Sequence, residues 1–158
     1  MKQRNPQLAL RLDGCADDAA MRWHDGALLA CLGKAATLRL GAGRKEAVLE
    51  GDDLHLPLPP EASSRQIQDA AEAWLRAQAV RLISAALATE SRRLGCPVPE
   101  ASLSFAGRAS WVRQDGKGGL RFHWRLVEQP EDVIGQVVRR ALMELPAPAS
   151  APDLFAAI

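Results

Sequence analysis

The sequence predicts an α+β protein: an N-terminal antiparallel β layer, one long helix, and then a small sheet packed on a second helix. Three observations carry that expectation. Short apolar runs cut by Gly and Asp turn signals fill the N-terminal part, a long apolar stripe at helical spacing follows, and a hairpin pattern then leads into a second, shorter stripe. The chain has 158 residues, enough for one domain with a real core and cramped for two independent ones. Residues 1–158 are therefore taken as a single domain, with residues 1–60 rich in strands and residues 61–158 built from helix, hairpin and helix.

In the first part, Leu8 to Leu12 alternates and stops at Asp13-Gly14, and a second piece ends at Asp25-Gly26. Thr37 to Leu40 ends at Gly41-Ala-Gly43, and Ala47 to Leu49 leads through Gly51 into Leu54 to Leu58. Leu54, Leu56 and Leu58 share one face at a period of two. Pro57 cannot donate to a ladder, which marks this strand as an edge.

Ser63 and Gln66 then fit a capping box, because a hydroxyl and an amide three residues apart satisfy each other's exposed backbone donors. From Ser64 to Leu94, the residues Ile67, Ala71, Trp74, Leu75, Ala79, Leu82, Ile83 and Ala86 keep to one stripe, so Trp74 is expected in the core. Arg92 and Arg93 suit the last turn, and Gly95 and Pro97 end the helix. Ser102 to Phe105, Ser110 to Gln114 and Leu120 to Leu126 read as strands, with Asp115-Gly-Lys-Gly-Gly119 turning between the last two. Pro130, Glu131 and Asp132 open a second helix. Its stripe of Val133, Ile134, Val137, Val138, Ala141, Leu142 and Leu145 describes a buried helix that Pro146 ends.

Composition excludes several classes of function. Lys and Arg total 20 against 19 Asp and Glu, a formal charge of +1, which lacks the basic footprint of a dedicated nucleic-acid binder. Cys15, Cys31 and Cys96 form no C-x-x-C pair and are odd in number, as expected of a reduced, cytoplasmic protein, and Cys31 and Cys96 are expected to be buried, inert thiols. No segment reads as a signal peptide or membrane anchor.

The final third resembles the YgjP-like metallopeptidases, relatives of the SprT-type zincins. The corresponding stretches are Trp111-Val-Arg-Gln114, His123-Trp-Arg-Leu126, Pro130-Glu131, and the helix Val133-Ile-Gly-Gln-Val-Val-Arg-Arg-Ala-Leu-Met-Glu-Leu145. The resemblance implies a zincin-like core in which that helix carries H-E-x-x-H. There, two imidazoles four residues apart hold Zn²⁺ and the intervening Glu acts as general base on the metal-bound water. In this chain the first ligand position is Arg140, the general-base position is Ala141, the second ligand position is Glu144, and the family's third ligand falls on Ser150. An arginine stays protonated and repels a cation. No catalytic residue, no metal ligand and no zinc are therefore expected, and Arg140 and Glu144 are expected to pair, either in the vacated cavity or as a solvated helix-face pair.

Trp111, His123, Trp124, Arg140 and Glu144 mark the ancestral cleft. His123 stands at the family's Asn position and is expected to pack or hydrogen-bond rather than ligate, while His24 and His55 are expected to point outward. Gly41-Ala-Gly43 before Arg44-Lys45 is expected to be a hairpin turn rather than a phosphate loop, since no helix pattern follows it. The leading expectation is a pseudoenzyme that keeps a peptide- or protein-binding scaffold, with no nucleic-acid or membrane partner. Its candidate binding edge is Leu120 to Leu126, where an extended peptide would pair by main-chain hydrogen bonds. Two other classes stay open. One is a hydrolase with a relocated metal site drawing on Glu144 and His123, or a metal-free site using Ser110, Ser150 or Cys31 with a His. The other is a structural or oligomerising module.

Overall fold

The computed structural model describes residues 22–105 and 110–146. The expected strand at Leu8 to Leu12, Cys15, Ser150 and the apolar close of the chain lie outside the described residues. Trp23 to Gly26 forms bends and turns, where the sequence suggested the end of a strand. By its contacts the chain divides into two units, Met1–Gln78 with Val127–Pro130, and Ala79–Leu126 with Glu131–Ile158.

The first unit holds a four-stranded sheet of β1 (Leu28–Cys31), β2 (Lys34–Leu40), β3 (Val48–Glu50) and β4 (Asp53–Leu56), in the order β1-β2-β4-β3. Two antiparallel hairpins, β1–β2 and β3–β4, are joined by a parallel pairing of β2 with β4. The register sets Leu29 opposite Ala36 and Leu38 beside Leu54, and all four are buried, so the period-two pattern turns one face of the sheet into core. β4 is an inner strand, contrary to the edge inferred from Pro57. That proline follows Leu56, the last residue of the strand, where its missing N–H costs the ladder nothing. Gly41 to Gly43 is likewise no hairpin turn, because β2 and β3 are not neighbours and the connection carries the chain past β4. Arg44 in that connection donates to both carboxylate oxygens of Glu50, at 3.0 and 3.2 Å, which gives the guanidinium a structural partner.

The turn between β1 and β2 is Leu32-Gly33, and both residues have positive φ, 52° and 74°. For a bulky residue such as Leu32 that conformation is rare, and here both amides of the turn are engaged. Leu32 N–H donates to the Val127 carbonyl and Gly33 N–H to that of Glu128, each at 2.9 Å.

Helix α1 runs Ser64–Leu94, as the stripe predicts. Its capping box is formed: Gln66 Oε1 accepts from Ser63 N–H at 2.9 Å and Ser63 Oγ accepts from Gln66 N–H at 3.2 Å. At the other end, Gly95 takes φ 66° and donates to Arg92 O, while Cys96 donates to Ser91 O, the paired bonds of a Schellman cap. Ile67, Ala71, Leu75, Ala79, Ile83 and Leu87 are buried. Trp74 is only half-buried, at the margin of the stripe rather than in the core.

The second unit holds a three-stranded sheet of β5 (Ala101–Ser104), β6 (Val112–Gln114) and β7 (Leu120–His123), in the order β5-β7-β6. β7 pairs with β5 in parallel and with β6 antiparallel. The chain then leaves the strand geometry at His123 and runs through a 3₁₀ turn at Trp124–Glu128, so the expected strand to Leu126 stops three residues earlier. Helix α2 follows at Glu131–Glu144, with Ile134, Val138, Ala141 and Leu142 buried and Val133, Val137 and Leu145 half-buried. It is amphipathic rather than buried all round. Among the described residues no helix is long and apolar enough to cross a membrane.

A Cβ on Gly33 would lie 2.6 Å from Pro130 Cγ, besides being strained at that φ. Gly33→Ala is therefore expected to lower stability by about 1–3 kcal/mol in a urea melt, and an unchanged midpoint would show that the turn is not held as described.

Candidate functional site

Helix α2 sorts its residues by a repeat of roughly 3.6 per turn. Ala141 falls on the same side as Ile134, Val138 and Leu142 and is 3 % exposed. Arg140 and Glu144, four residues apart, fall on the open side, with side chains 84 % and 62 % exposed, and pair with each other at 3.4 Å between Nε and Oε1. The expected ion pair is formed, and its exposure among the described residues is that of a solvated helix face. Gln114, on β6, donates from Nε2 to the Glu144 carbonyl at 3.2 Å and ties that strand to the end of α2.

The remaining cleft residues gather around β7. His123 is buried, its ring edge-on to Trp111 at 6.3 Å between centroids and 22° from parallel to Trp124 at 6.5 Å. Its Nδ1 accepts from Arg125 N–H at 3.2 Å, and its backbone N–H donates to the Trp111 carbonyl at 2.8 Å. An Nδ1 used as acceptor leaves the ring's proton on Nε2 in the neutral form. Trp124 is buried beneath the Arg125 guanidinium, whose carbon lies 5.3 Å from the indole centroid. His123 is thus the packed, hydrogen-bonding residue the sequence suggested.

The edge assigned to Leu120 to Leu126 does not exist. β7 is the central strand, paired on both sides, so its main chain cannot take up an extended peptide. The outer strands of this sheet are β5 and β6.

The zinc ion that the sequence resemblance implies does not fit the residues present. At the described positions the donor set is one exposed carboxylate, Glu144, already held by a fixed cation, beside an arginine and an alanine. Among the described residues no three His, Cys, Asp or Glu are grouped so as to hold a metal ion. Ser110 donates from Oγ to the Val112 carbonyl at 2.8 Å, and Cys31 is buried in β1, where burial pushes its thiol pKa up and away from the reactive thiolate. His24 is exposed and donates from Nδ1 to Asp25 O. His55 is half-buried, with Nε2 3.5 Å from Glu50 Oε2.

One charged residue has no place among the sequence-based expectations. Glu90 is 7 % exposed, and while its Oε1 meets Arg93 at 3.3 Å, its Oε2 is buried with no hydrogen-bond partner among the described residues. The signal was there: Ile83, Leu87 and Glu90 follow each other at i, i+4 and i+7, which sets a carboxylate on the apolar stripe of α1. It lines a groove of about 560 Å³ between the C-terminal half of α1 and the first turns of α2, with Leu82, Ala86, Ile134 and Arg139 also on its walls.

A model of the YgjP-like family, described as a metallopeptidase domain, matches residues 4–139. No curated protein and no solved structure matches the chain. The matched stretch ends at Arg139, one residue before the position where the motif's first His would stand.

Two experiments separate the two sides of α2. A double-mutant cycle of Arg140→Ala and Glu144→Ala is expected to give a coupling of only about 0.2–0.5 kcal/mol. Ala141→Glu, which forces a carboxylate into a buried position, is expected to cost at least about 2 kcal/mol. Chemical denaturation of the four variants measures both, and a tolerated Ala141→Glu would show that the helix is not packed on that face.

Proposed function

The chain belongs to the YgjP-like metallopeptidase-domain family, and we propose that within it this protein is a catalytically inactive member that keeps the scaffold as a peptide- or protein-binding device. The observation that carries this reading is the state of the motif helix. Arg140 and Glu144 satisfy each other on its exposed side, and the general-base position is a buried alanine. Hydrolysis of an amide by a zincin needs a metal-bound water and a carboxylate to take its proton, and these positions supply neither.

Peptide pairing, in this proposal, belongs to an outer strand instead of β7. β6 is favoured over β5 because Gln114 links it to the end of the motif helix, the neighbourhood in which a zincin holds its substrate. Main-chain pairing needs no metal.

Metal analysis of protein purified without chelator is expected to find no stoichiometric zinc. An unstructured fluorescent polypeptide is expected to stay whole in its presence, with or without added Zn²⁺, while its anisotropy rises on binding. Stoichiometric zinc or chelator-sensitive cleavage would sink the inactive reading, and an unchanged anisotropy would sink the binding one.

A further inference from the structure

The small sheet carries charge of one sign: β5, β6 and β7 together hold two arginines and no acidic residue. The register places Arg113 of β6 directly opposite Arg121 of β7, with Ser102 of β5 on the other side of Arg121, so both guanidiniums stand on one face. It is the face opposite buried Leu120 and Phe122, and both arginines are exposed. Like charges directly opposite each other on a sheet cost stability. Among the described residues neither guanidinium makes a hydrogen bond or an ion pair. Asp115, the nearest carboxylate along the chain, feels Arg121, but its Oδ1 accepts from the amides of Lys117 and Gly119 at 2.7 and 2.9 Å. Trp111 stands two residues before Arg113, meets the His123 ring on the same face, and is still 39 % exposed. His123 N–H donates to Trp111 O and Asp115 N–H to Gly119 O. The alternation of an antiparallel ladder therefore turns the main-chain groups of Val112 and Gln114 to the outer edge. The Val112 carbonyl also accepts from Ser110 Oγ and keeps a second lone pair.

We propose that the extended peptide taken up along β6 is an acidic one, with a Glu or Asp side chain opposite Arg113 and an apolar side chain two positions away against Trp111. The inference rests on the β6 pairing proposed above and adds the class of peptide. A strand added at that edge continues each cross-strand row of the sheet, at about 5 Å between neighbouring side chains. Its residue opposite Arg113 joins the row of Ser102, Arg121 and Arg113. A carboxylate there relieves the repulsion between the two guanidiniums and accepts a charge-assisted hydrogen bond from the nearer one. A lysine would be the third cation in the row. The next residue on that face joins His123 and Trp111, where the exposed part of the indole offers apolar surface. A nucleic acid suits the site less well, because the chain has a net charge of only +1 and the row holds two cations rather than a basic stripe.

Fluorescence anisotropy on the full chain tests this with labelled octapeptides of sequence Thr-Leu-Thr-Xaa-Thr-Leu-Thr-Thr, where Xaa is Glu, Gln or Lys. A Leu stands two positions from Xaa on either side, so strand direction does not matter. The Glu peptide is expected to bind about three- to fivefold more tightly than the Gln peptide, and the Lys peptide more weakly than both. Arg113→Gln should bring the Glu and Gln peptides to equal affinity, and Arg113→Glu should make the Lys peptide the tightest of the three. Both variants remove the opposition to Arg121, so their melting temperatures should equal or exceed that of the wild type. Arg65→Gln, which removes an exposed charge at the start of α1, should keep the full preference. If the three peptides bind the wild type equally, the acidic inference falls and strand pairing along β6 stands; if none binds, both fall. The inference is also overturned if Arg113→Gln or Arg113→Glu keeps the wild-type preference, if Arg65→Gln loses it, or if an oligonucleotide of eight thymidines displaces the Glu peptide.

Discussion

Buried backbone must be hydrogen-bonded, and the segment from Leu120 to Glu128 meets that requirement largely with partners distant in sequence. Leu120, Phe122, His123, Trp124, Leu126 and Val127 are all buried. β7 therefore takes a ladder on each side, parallel to β5 and antiparallel to β6. Beyond the strand, the carbonyls of Val127 and Glu128 accept the two amides of the Leu32-Gly33 turn, and the close approach of Pro130 leaves room at Gly33 for no side chain. A stretch so enclosed cannot serve as a template for another chain. Any docking by strand addition must move to the outer strands of the sheet, which the sequence reading placed one strand too far inward.

Helix geometry divides the motif positions in a way that composition alone does not convey. Successive residues on an α-helix are turned by roughly 100°, so the packing that buries Ile134, Val138 and Leu142 also buries Ala141 while leaving Arg140 and Glu144 outside. The three residues thus meet different physical demands. The two exposed side chains are each other's partners, at little gain in stability. Ala141 is part of the core, where a carboxylate would have to be desolvated.

Much of this was legible in the sequence, and the failures share a cause. Both helices could be read because a stripe of eight or so apolar residues at helical spacing is long enough to exclude other periods, and the Ser63 and Gln66 cap and the Gly95 stop bounded α1 at both ends. Strand existence was legible for β2 to β7, from alternation between turn residues, while β1 at Leu28–Cys31 was not read. Strand neighbours were not, because pairing is a long-range choice that local pattern does not encode. Pro57 suggested an edge for β4 and β7 was taken as an edge, yet each lies inside its sheet. Site geometry was legible where it depends on helical spacing, as with Arg140 and Glu144. It was not where it depends on aromatic packing: the ring contacts of His123 with Trp111 and Trp124 join residues on β7, in the turn after it and just before β6.

The two ends of α2 hold their charges in different ways. At the C-terminal end, the charges of Arg140 and Glu144 cancel each other in water, each with the other as its partner. Near the N-terminal end, Glu90 faces a groove with one buried oxygen unpaired among the described residues, on a helix stripe where an apolar residue would pack at lower cost. Sequences agree with their folds at most positions, and departures that cost stability concentrate where something must be bound or changed. By that criterion Arg140, Ala141 and Glu144 sit as ordinary helix surface and core, whereas Glu90 does not.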